Sequence, residues 1–357
     1  MQPLTCSAKD EDLSTLTPVG SFAEIRSLLA QLPKIDAAGV AAARAREPQL
    51  LKPHGALGRL EAIAEWLAGW QAQDPPKVER ASIFVFAGNH GVAWLGVSAY
   101  PAEVTAQMVA SFQAGGAAIN QLARVSGAEL HVQPIDLDRP TEDFTARPAM
   151  SETDCVHAFN QGLTASDDDL DLIAVGEMGI ANTTAAAAIC TALFGSEAAS
   201  WAGPGTGVSG PDLERKIEVI EKALVTHAGA LNDSLDVLRH LGGRELAAIT
   251  GAIVAGRLRR TPVILDGYVA TAAAAVLAKA RPDALDHCIA GHVSAEPGHR
   301  RLLAELDMPP LLDLAMRLGE ASGAAVAIGI VRAAAACHAG MATFADAGVT
   351  GPVGDQA

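Results

Sequence analysis

Five short segments between residues 81 and 299 constrain this chain more than anything else in it. They are "ASIFVFAGNHGVA" from residue 81, "AELHVQPIDL" at 128–137, "DLIAVGEMGIANTT" at 171–184, "PVILDGYVATAAAA" at 262–275 and "HCIAGHVSAEPGH" at 287–299. Each is apolar or rich in β-formers, and each is followed by a helical pattern. Four carry a glycine where the apolar run stops. Short strands alternating with helices read as an α/β fold, a parallel sheet covered on both faces. In such sheets the ligand sits beyond the carboxyl ends of the strands. His90, Glu177, Asp266 and His292 stand at four of those ends, so the pattern predicts that they converge. One polar residue there would read as a turn residue capping a helix; four in the same position read as a site.

The flanks are helical. Periodicity predicts helices at 22–32, 35–46 and 57–72, and "AQDPPK" then breaks the chain. After residue 300 the pattern reads as helical to the end, through the amphipathic "LLAELDMPPLLDLAMRLGE" and then "ASGAAVAIGIVRAAAACHAGMATFADA". A chain of 357 residues exceeds a typical single core, which suits one large domain and a smaller one. The expected division is a flexible lead at 1–20, an α/β domain at 76–299, and a small helical domain from both chain ends, 21–75 with 300–350.

Half of the residues are hydrophobic but only 4% are aromatic, so the core is built from Ala, Val, Leu and Ile. The formal net charge of −15 argues against a general nucleic-acid surface, which must be basic. An anionic ligand would have to be held locally, by helix N-termini, glycine-rich loops and a few placed cations. The five cysteines show no C-x-x-C spacing, as expected of reduced thiols in a cytoplasmic protein. "MQPLTCSAKDEDLS" lacks the apolar core of a signal peptide, and no run of about 20 residues is free of charge or polar breaks, so no membrane span is expected.

Three stretches offer chemistry. "AGPGTGVSGPDLERKIEVIEKAL", from residue 202, is a glycine-rich loop leading into a helix with Lys216 in its first turns. Backbone N–H groups and an ammonium there suit a phosphate, although neither the P-loop nor the dinucleotide spacing is present. A plain loop with Lys216 on a solvated helix face fits the same pattern. "GEMGIANTTAAAAI" (176–189) places Glu177 at a strand end and Asn182, Thr183 and Thr184 at a helix start, where Asn182 or Thr183 reads as an N-cap. Glu320 stands in a small-residue window at the mouth of a long apolar run. A buried carboxylate must be paired, protonated or put to use; an acid favoured by a helix dipole is the plainer alternative. No metal-ligand spacing and no G-x-S-x-G elbow occurs. The residues alone therefore point to an α/β enzyme for a phosphorylated small molecule, working through carboxylates, and leave the substrate unnamed.

Six stretches in order go further: "LLKPHGALGRLEAIAEWLAGWQ", "NHGVAWLGVSAYPAEVTAQMV", "GEMGIANTTAAAAI", "PVILDGYVATAAA", "GHVSAEPGHRRLL" and "MRLGEASGAAVAI". Together they resemble the nicotinate-nucleotide–dimethylbenzimidazole phosphoribosyltransferase family, over roughly residues 20–345. The resemblance implies a Rossmann-like sheet with a small helical domain, a homodimer, no cofactor and no metal. It implies that nicotinate mononucleotide and 5,6-dimethylbenzimidazole give α-ribazole 5′-phosphate and nicotinate, for the lower ligand of cobalamin. By the same resemblance Glu320 matches the general base and Glu177 a second, electrostatic carboxylate. Gly205, Thr206, Lys216, Asp266, Gly267, Gly291, His292, Arg317 and Gly319 match the phosphate and ribose side. His90, Ser98, Tyr100, Met108 and Met178 match the base pocket. Tyr100 and Met108 stand where some members have Ser and Gln, and Asn89 where "A-D-H-G" is common, which leaves the acceptor base open. The rival readings are the same fold acting on a purine or a phenol, and a non-catalytic nucleotide-binding protein.

Overall fold

The computed structural model describes residues 16–351. Residues 1–15, with Cys6 and most of the expected lead, and residues 352–357 lie outside the described residues. Five parallel strands form the sheet: β1 (Ala81–Ala87), β2 (Glu129–Pro134), β3 (Leu172–Met178), β4 (Val263–Leu265) and β5 (Cys288–Ala290), in the order β2-β1-β3-β4-β5. Val85 pairs with Gly176, Val175 with Leu265, and Leu265 with Ala290. All five expected strands are present. β1 and β3 are buried on both faces, which is why they read as continuous apolar runs and not as alternating ones.

Successive strand residues point to opposite faces. Phe84, Phe86, Ile173, Val175, Val263 and Leu265 enter one core. Helices α6 (Glu152–Leu163), α7 (Asn182–Phe194), α8 (Pro211–His227), α9 (Ser234–Leu241), α10 (Arg244–Leu258) and α11 (Tyr268–Ala280) supply the rest of that core, joined by α1 (Phe22–Ala30). Ile83, Val85, Leu172, Ala174 and Ile264 enter the other core. There they meet α3 (Arg59–Gln71), α4 (Glu103–Gln113), α5 (Ala118–Ser126) and α13 (Ser322–Gly340). Helices α2 (Ala37–Arg46), α12 (Pro297–Glu305) and α14 (Phe344–Ala347) complete the described elements discussed below.

One expectation needs correction. The tail is not helical throughout. α12 ends at Glu305, and residues 311–320 run irregularly until α13 starts. Pro309 and Pro310 lack the N–H that a helix needs and disfavour it in the residue before them. The segment instead covers the exposed edge of β5: Leu311 N–H donates to Ala290 O at 2.9 Å and Leu312 N–H to Gly291 O at 3.1 Å. α13 is long and apolar enough, by length and composition, to cross a bilayer, with a mean hydropathy of 1.4, although Arg332 interrupts it. Here Ala324, Ala327, Ile328 and Val331 are buried against the sheet.

The two chain ends meet. Leu50 bridges to Thr343, and the Arg46 guanidinium donates to the carbonyls of His338 and Ala339. Lys52 lies between Glu47 and Glu61, at 2.7 Å from each, and His338 between Glu47 and Asp74, at 2.8 and 3.0 Å. Val19 exchanges hydrogen bonds with the Asn160 amide of α6 at 2.9 and 2.7 Å, so the last residues of the expected lead are tied to the large core. Cys155, Cys190, Cys288 and Cys337 are unbridged.

Candidate active site

A cavity of about 340 Å³ opens at the carboxyl ends of β3, β4 and β5. Its walls come from the segments that follow those strands: Glu177–Thr183 without Ala181, Gly267–Val269, and His292, Ser294 and Glu296. Tyr100, Gly205, Thr206 and the stretch Arg317–Gly319 close it. Helices α7 and α11 both begin here, and neither has a side-chain N-cap. At α7 the Asn182 and Thr184 N–H groups donate to Gly179 O and Ala181 O, so the start of α11 is the more open of the two to an anion.

Glu177 lies on the cavity wall, 9% exposed. Burial pushes its carboxyl up to about 8, against the Asn182 amide, which donates to it and pulls the other way; Asp266, Glu245 and Glu320 add repulsion. Asn182 is therefore not the expected N-cap. It is the first residue of α7, and its side chain turns back to hold Glu177. The cap position is Ala181, in the left-handed region at φ 75°.

Glu320 follows the wall residue Gly319 and is 4% exposed. Burial pushes its carboxyl up to about 7. Its Oε2 is buried with no partner among the described residues. Gly319, Glu320 and Ala321 are all left-handed, with φ of 79°, 61° and 60°. For the two residues with a Cβ this conformation costs roughly 1–2 kcal/mol each. The turn is fixed by the Glu320 N–H, which donates to Glu177 O at 3.1 Å. Gly319 has to be glycine here: a Cβ would stand 2.5 Å from Glu177 Oε1. Glu320 stands one residue before Ala321, the cap position of α13, so the helix-dipole reading fits its place as well.

Asp266 lies beneath the cavity wall. Its Oδ1 accepts from Ala324 N–H at 2.9 Å, so it caps α13 from the end of β4. Burial pushes it up to about 7, and the backbone N–H groups of Ala324, Gly323 and Ala321 oppose the shift. His292 lines the cavity, 3.7 Å from Asp266 Oδ1, with both ring nitrogens buried and unpartnered among the described residues. Burial lowers its pKa, against the Val293 backbone and the charge of Asp313.

The glycine-rich loop is held from three sides. Gly205 N–H donates to Glu296 Oε1 at 2.8 Å, and Arg317 Nη1 donates to Gly205 O at 3.1 Å. Gly205 has φ 53°, and a Cβ on it would come within 2.6 Å of Thr183 Oγ1. Lys216, expected to offer its ammonium to a phosphate or to solvent, does neither. It is 0% exposed and donates to Thr183 Oγ1 and Gly203 O, both at 2.8 Å, beneath the loop. Burial lowers it to about 8. Glu296 is raised by burial and partly restored by Lys216 and Arg317.

Of the residues singled out in the sequence, Glu177, Met178, Tyr100, Gly205, Thr206, Gly267, His292, Arg317 and Gly319 border the cavity. Ser98 stands behind Thr206, with the two hydroxyls 3.0 Å apart. Gly291 and Met108 lie off the wall, Met108 packed against the core under α13. His90 does not join its three expected neighbours. It is fully buried against Glu245 Oε1 of α10, at 2.5 Å. Glu296, Ser294, Asn182 and Thr183 were missed as wall residues. "S-A-E-P" reads as a turn into a helix, and nothing local shows that Glu296 faces back toward residue 205. No group of three or more His, Cys, Asp and Glu among the described residues is placed to hold a metal ion.

Comparison with known proteins comes from three directions. A family model described as phosphoribosyltransferase matches residues 32–349. The nicotinate-nucleotide–dimethylbenzimidazole phosphoribosyltransferase of Cereibacter sphaeroides is 58% identical over 334 residues, covering 94% of this chain and 99% of the relative. That of Methylorubrum extorquens is 59% identical, covering 89% and 93%. The crystal structure of CobT from Thermus thermophilus superposes with a TM-score of 0.81 at 40% identity, covering 88% of this chain and 99% of that one.

Proposed function

The chain belongs to the phosphoribosyltransferase family, and from that premise we propose that it transfers the phosphoribosyl group of nicotinate mononucleotide to 5,6-dimethylbenzimidazole. The products are α-ribazole 5′-phosphate, destined for the lower ligand of cobalamin, and nicotinate. The observation that carries this reading is the pair of buried carboxyls, Glu177 on the cavity wall and Glu320 in the adjoining turn, raised to about 8 and about 7.

The chemistry asks for such a pair. One ring nitrogen of the benzimidazole donates its lone pair to the ribose C1′. The bond from C1′ to the pyridinium nitrogen breaks, its electron pair neutralises that ring, and nicotinate leaves. The other ring N–H becomes acidic as the new bond forms, and a carboxylate must take the proton. A carboxyl near 7 is a better base than an ordinary one and is still ionised in a large fraction at neutral pH. Glu320 fills that role. The transition state is cationic at C1′, and Glu177 opposes that charge. The pyridinium of the arriving nucleotide favours the ionised form of Glu177. Inversion at C1′ turns the β linkage into an α one.

The remaining walls divide the substrates. The open start of α11, with Arg317, suits the phosphate. Tyr100, Met178 and Leu318 suit the flat acceptor ring. Lys216 acts from below by holding the loop. The reading extends to a homodimer in the cytoplasm. The exposed Trp94, Leu314 and Leu318 suit a second copy, and the unbridged cysteines suit a reducing compartment. Sedimentation equilibrium tests the first point.

The direct test is incubation with nicotinate mononucleotide and 5,6-dimethylbenzimidazole, beside Glu320→Gln and Glu177→Gln, with product read by mass and chromatography. Wild-type product with a large loss in Glu320→Gln supports both reaction and base. Product from Glu320→Gln at the wild-type rate moves the base to another group. No product from the wild type overturns the transfer.

A further inference from the structure

We infer that Glu296 is the sugar-specificity residue of the cavity: its carboxylate accepts a hydrogen bond from a ribose hydroxyl of the nucleotide. The inference rests on the transfer reading above for the identity of the nucleotide, and on four observations of the site. Glu296 lines the cavity and is buried. One of its oxygens, Oε1, is held in place by Gly205 N–H at 2.8 Å. The other, Oε2, is buried with no partner among the described residues. Of its two cationic neighbours, Lys216 is bonded to Thr183 and Gly203 and Arg317 to Gly205 O, and neither is bonded to Oε2.

An acceptor left without a donor in a buried wall is costly, so a bound ligand that donates to it gains affinity. The substrate's own chemistry then selects the group. Nicotinate mononucleotide has a carboxylate on its ring and a phosphate at C5′, both of which accept hydrogen bonds and carry negative charge. A second carboxylate repels them. Its only side-group donors are the two ribose hydroxyls. The one donor on the acceptor base, its ring N–H, is required by the carboxylate that removes its proton. A hydroxyl is therefore the substrate group that fits Glu296. The Gly205 contact fixes the carboxylate in advance, so discrimination follows from position and not only from charge.

A purely structural Glu296 would serve as the clamp on Gly205 and nothing else, and the two accounts part on substrate analogues. The experiment measures calorimetric affinity and kcat/KM for nicotinate mononucleotide and for its 2′-deoxy and 3′-deoxy analogues, in the wild type and in Glu296→Gln. Gln keeps an oxygen for Gly205 N–H and replaces the free acceptor by an amide donor. The wild type is expected to bind the ribonucleotide about 10–100-fold more tightly than one of the deoxy analogues, the range for a hydrogen bond to a charged acceptor. Glu296→Gln should lose that factor on the ribonucleotide and bind the same analogue within about twofold of the wild type. Should Glu296→Gln fail to fold, Glu296→Asp keeps the charge, withdraws the oxygen by one methylene and should show the same loss of discrimination. Equal binding of all three nucleotides by the wild type overturns the assignment. So does a variant that weakens ribonucleotide and analogues alike, which is the mark of the clamp. Discrimination in binding with no product from any nucleotide would sink the transfer reading and leave the Glu296 assignment standing.

Discussion

Glu177, Asp266 and Glu320 at the cavity and Glu47, Glu61 and Asp74 at the junction of the chain ends are two sets of shielded carboxylates with opposite surroundings. At the junction each acid has a bonded partner: Lys52 lies between Glu47 and Glu61, and the His338 ring is hydrogen-bonded to Glu47 and Asp74. The Lys52 ammonium and the Leu57 N–H hold Glu61 below its ordinary 4.5 against burial. At the cavity no Lys or Arg among the described residues is bonded to the three acids, and burial raises all of them, to about 8, 7 and 7. Acids bonded to Lys52 and His338 tie two segments of the chain together. Unpaired ones destabilise the fold but are left as bases strong enough for chemistry near neutral pH. The same residue type is structural at one place and reactive at the other because of what was placed beside it.

The largest effect should come from the reactive set. Glu320→Gln is expected to lower kcat by about 10²–10⁴, the usual worth of a general base, without lowering the melting temperature. A variant that melts earlier and turns over normally would erase the distinction between the two sets. Lys52→Met attacks the paired set. Its ammonium is only 7% exposed, and its loss leaves two acids facing each other. A loss of about 3 kcal/mol in denaturant unfolding is expected, with turnover at saturating substrate unchanged; an unchanged midpoint would mean that the junction carries no stability.

Gly176→Ala couples packing to the reactive set. A Cβ there would stand 2.2 Å from Ala321 N, so the strained turn must shift. About 2 kcal/mol of stability should be lost, with kcat falling as Glu320 moves. Full activity at wild-type stability would show that the turn tolerates displacement.

The pH dependence sharpens the contrast. A carboxyl raised in the folded state contributes stability below its ordinary pKa and loses it as pH rises through the folded value. Glu177, Asp266 and Glu320 should thus erode stability from about pH 4 to about pH 8. Glu61 is lowered, so its contribution is present above its ordinary pKa and is lost as pH falls through the folded value. Urea midpoints across pH 4–8 should decline more gently in Glu177→Gln than in the wild type; parallel curves would contradict the raised acid. The smallest effect is expected from Tyr100→Ala at the half-open mouth, 53% exposed. KM for the acceptor base should rise roughly 3–10-fold with KM for the nucleotide unchanged, in keeping with the modest worth of one aromatic contact.

Much of this was legible along the chain. The five strands announce themselves because a strand buried on both faces must be apolar throughout, and the glycines mark where the chain leaves the sheet. Glu177 and His292 could be placed at the cavity because strand ends in a parallel sheet point to one side. His90 obeys the same rule and still misses the cavity. Its place depends on Glu245, 155 residues away, and no local pattern carries that partnership. Lys216 reads as a ligand cation because a lysine in the first turns of a helix is usually solvated; its burial under Thr183 and Gly203 depends on how the loop folds back. Residues 311–320 read as helix from their spacing, but two prolines and the open edge of β5 decided otherwise.

The chain by itself determined the α/β alternation and the strand ends as the site, because these follow from local geometry and the need to bury apolar faces. Tertiary structure alone decided which acids are paired. Lys52 and His338 reach their carboxylates across gaps of sequence up to 291 residues, and among the described residues no Lys or Arg is bonded to Glu177 or Glu320. A carboxyl's pKa depends on the water and charges around it, and those are set only when the distant segments have closed upon it.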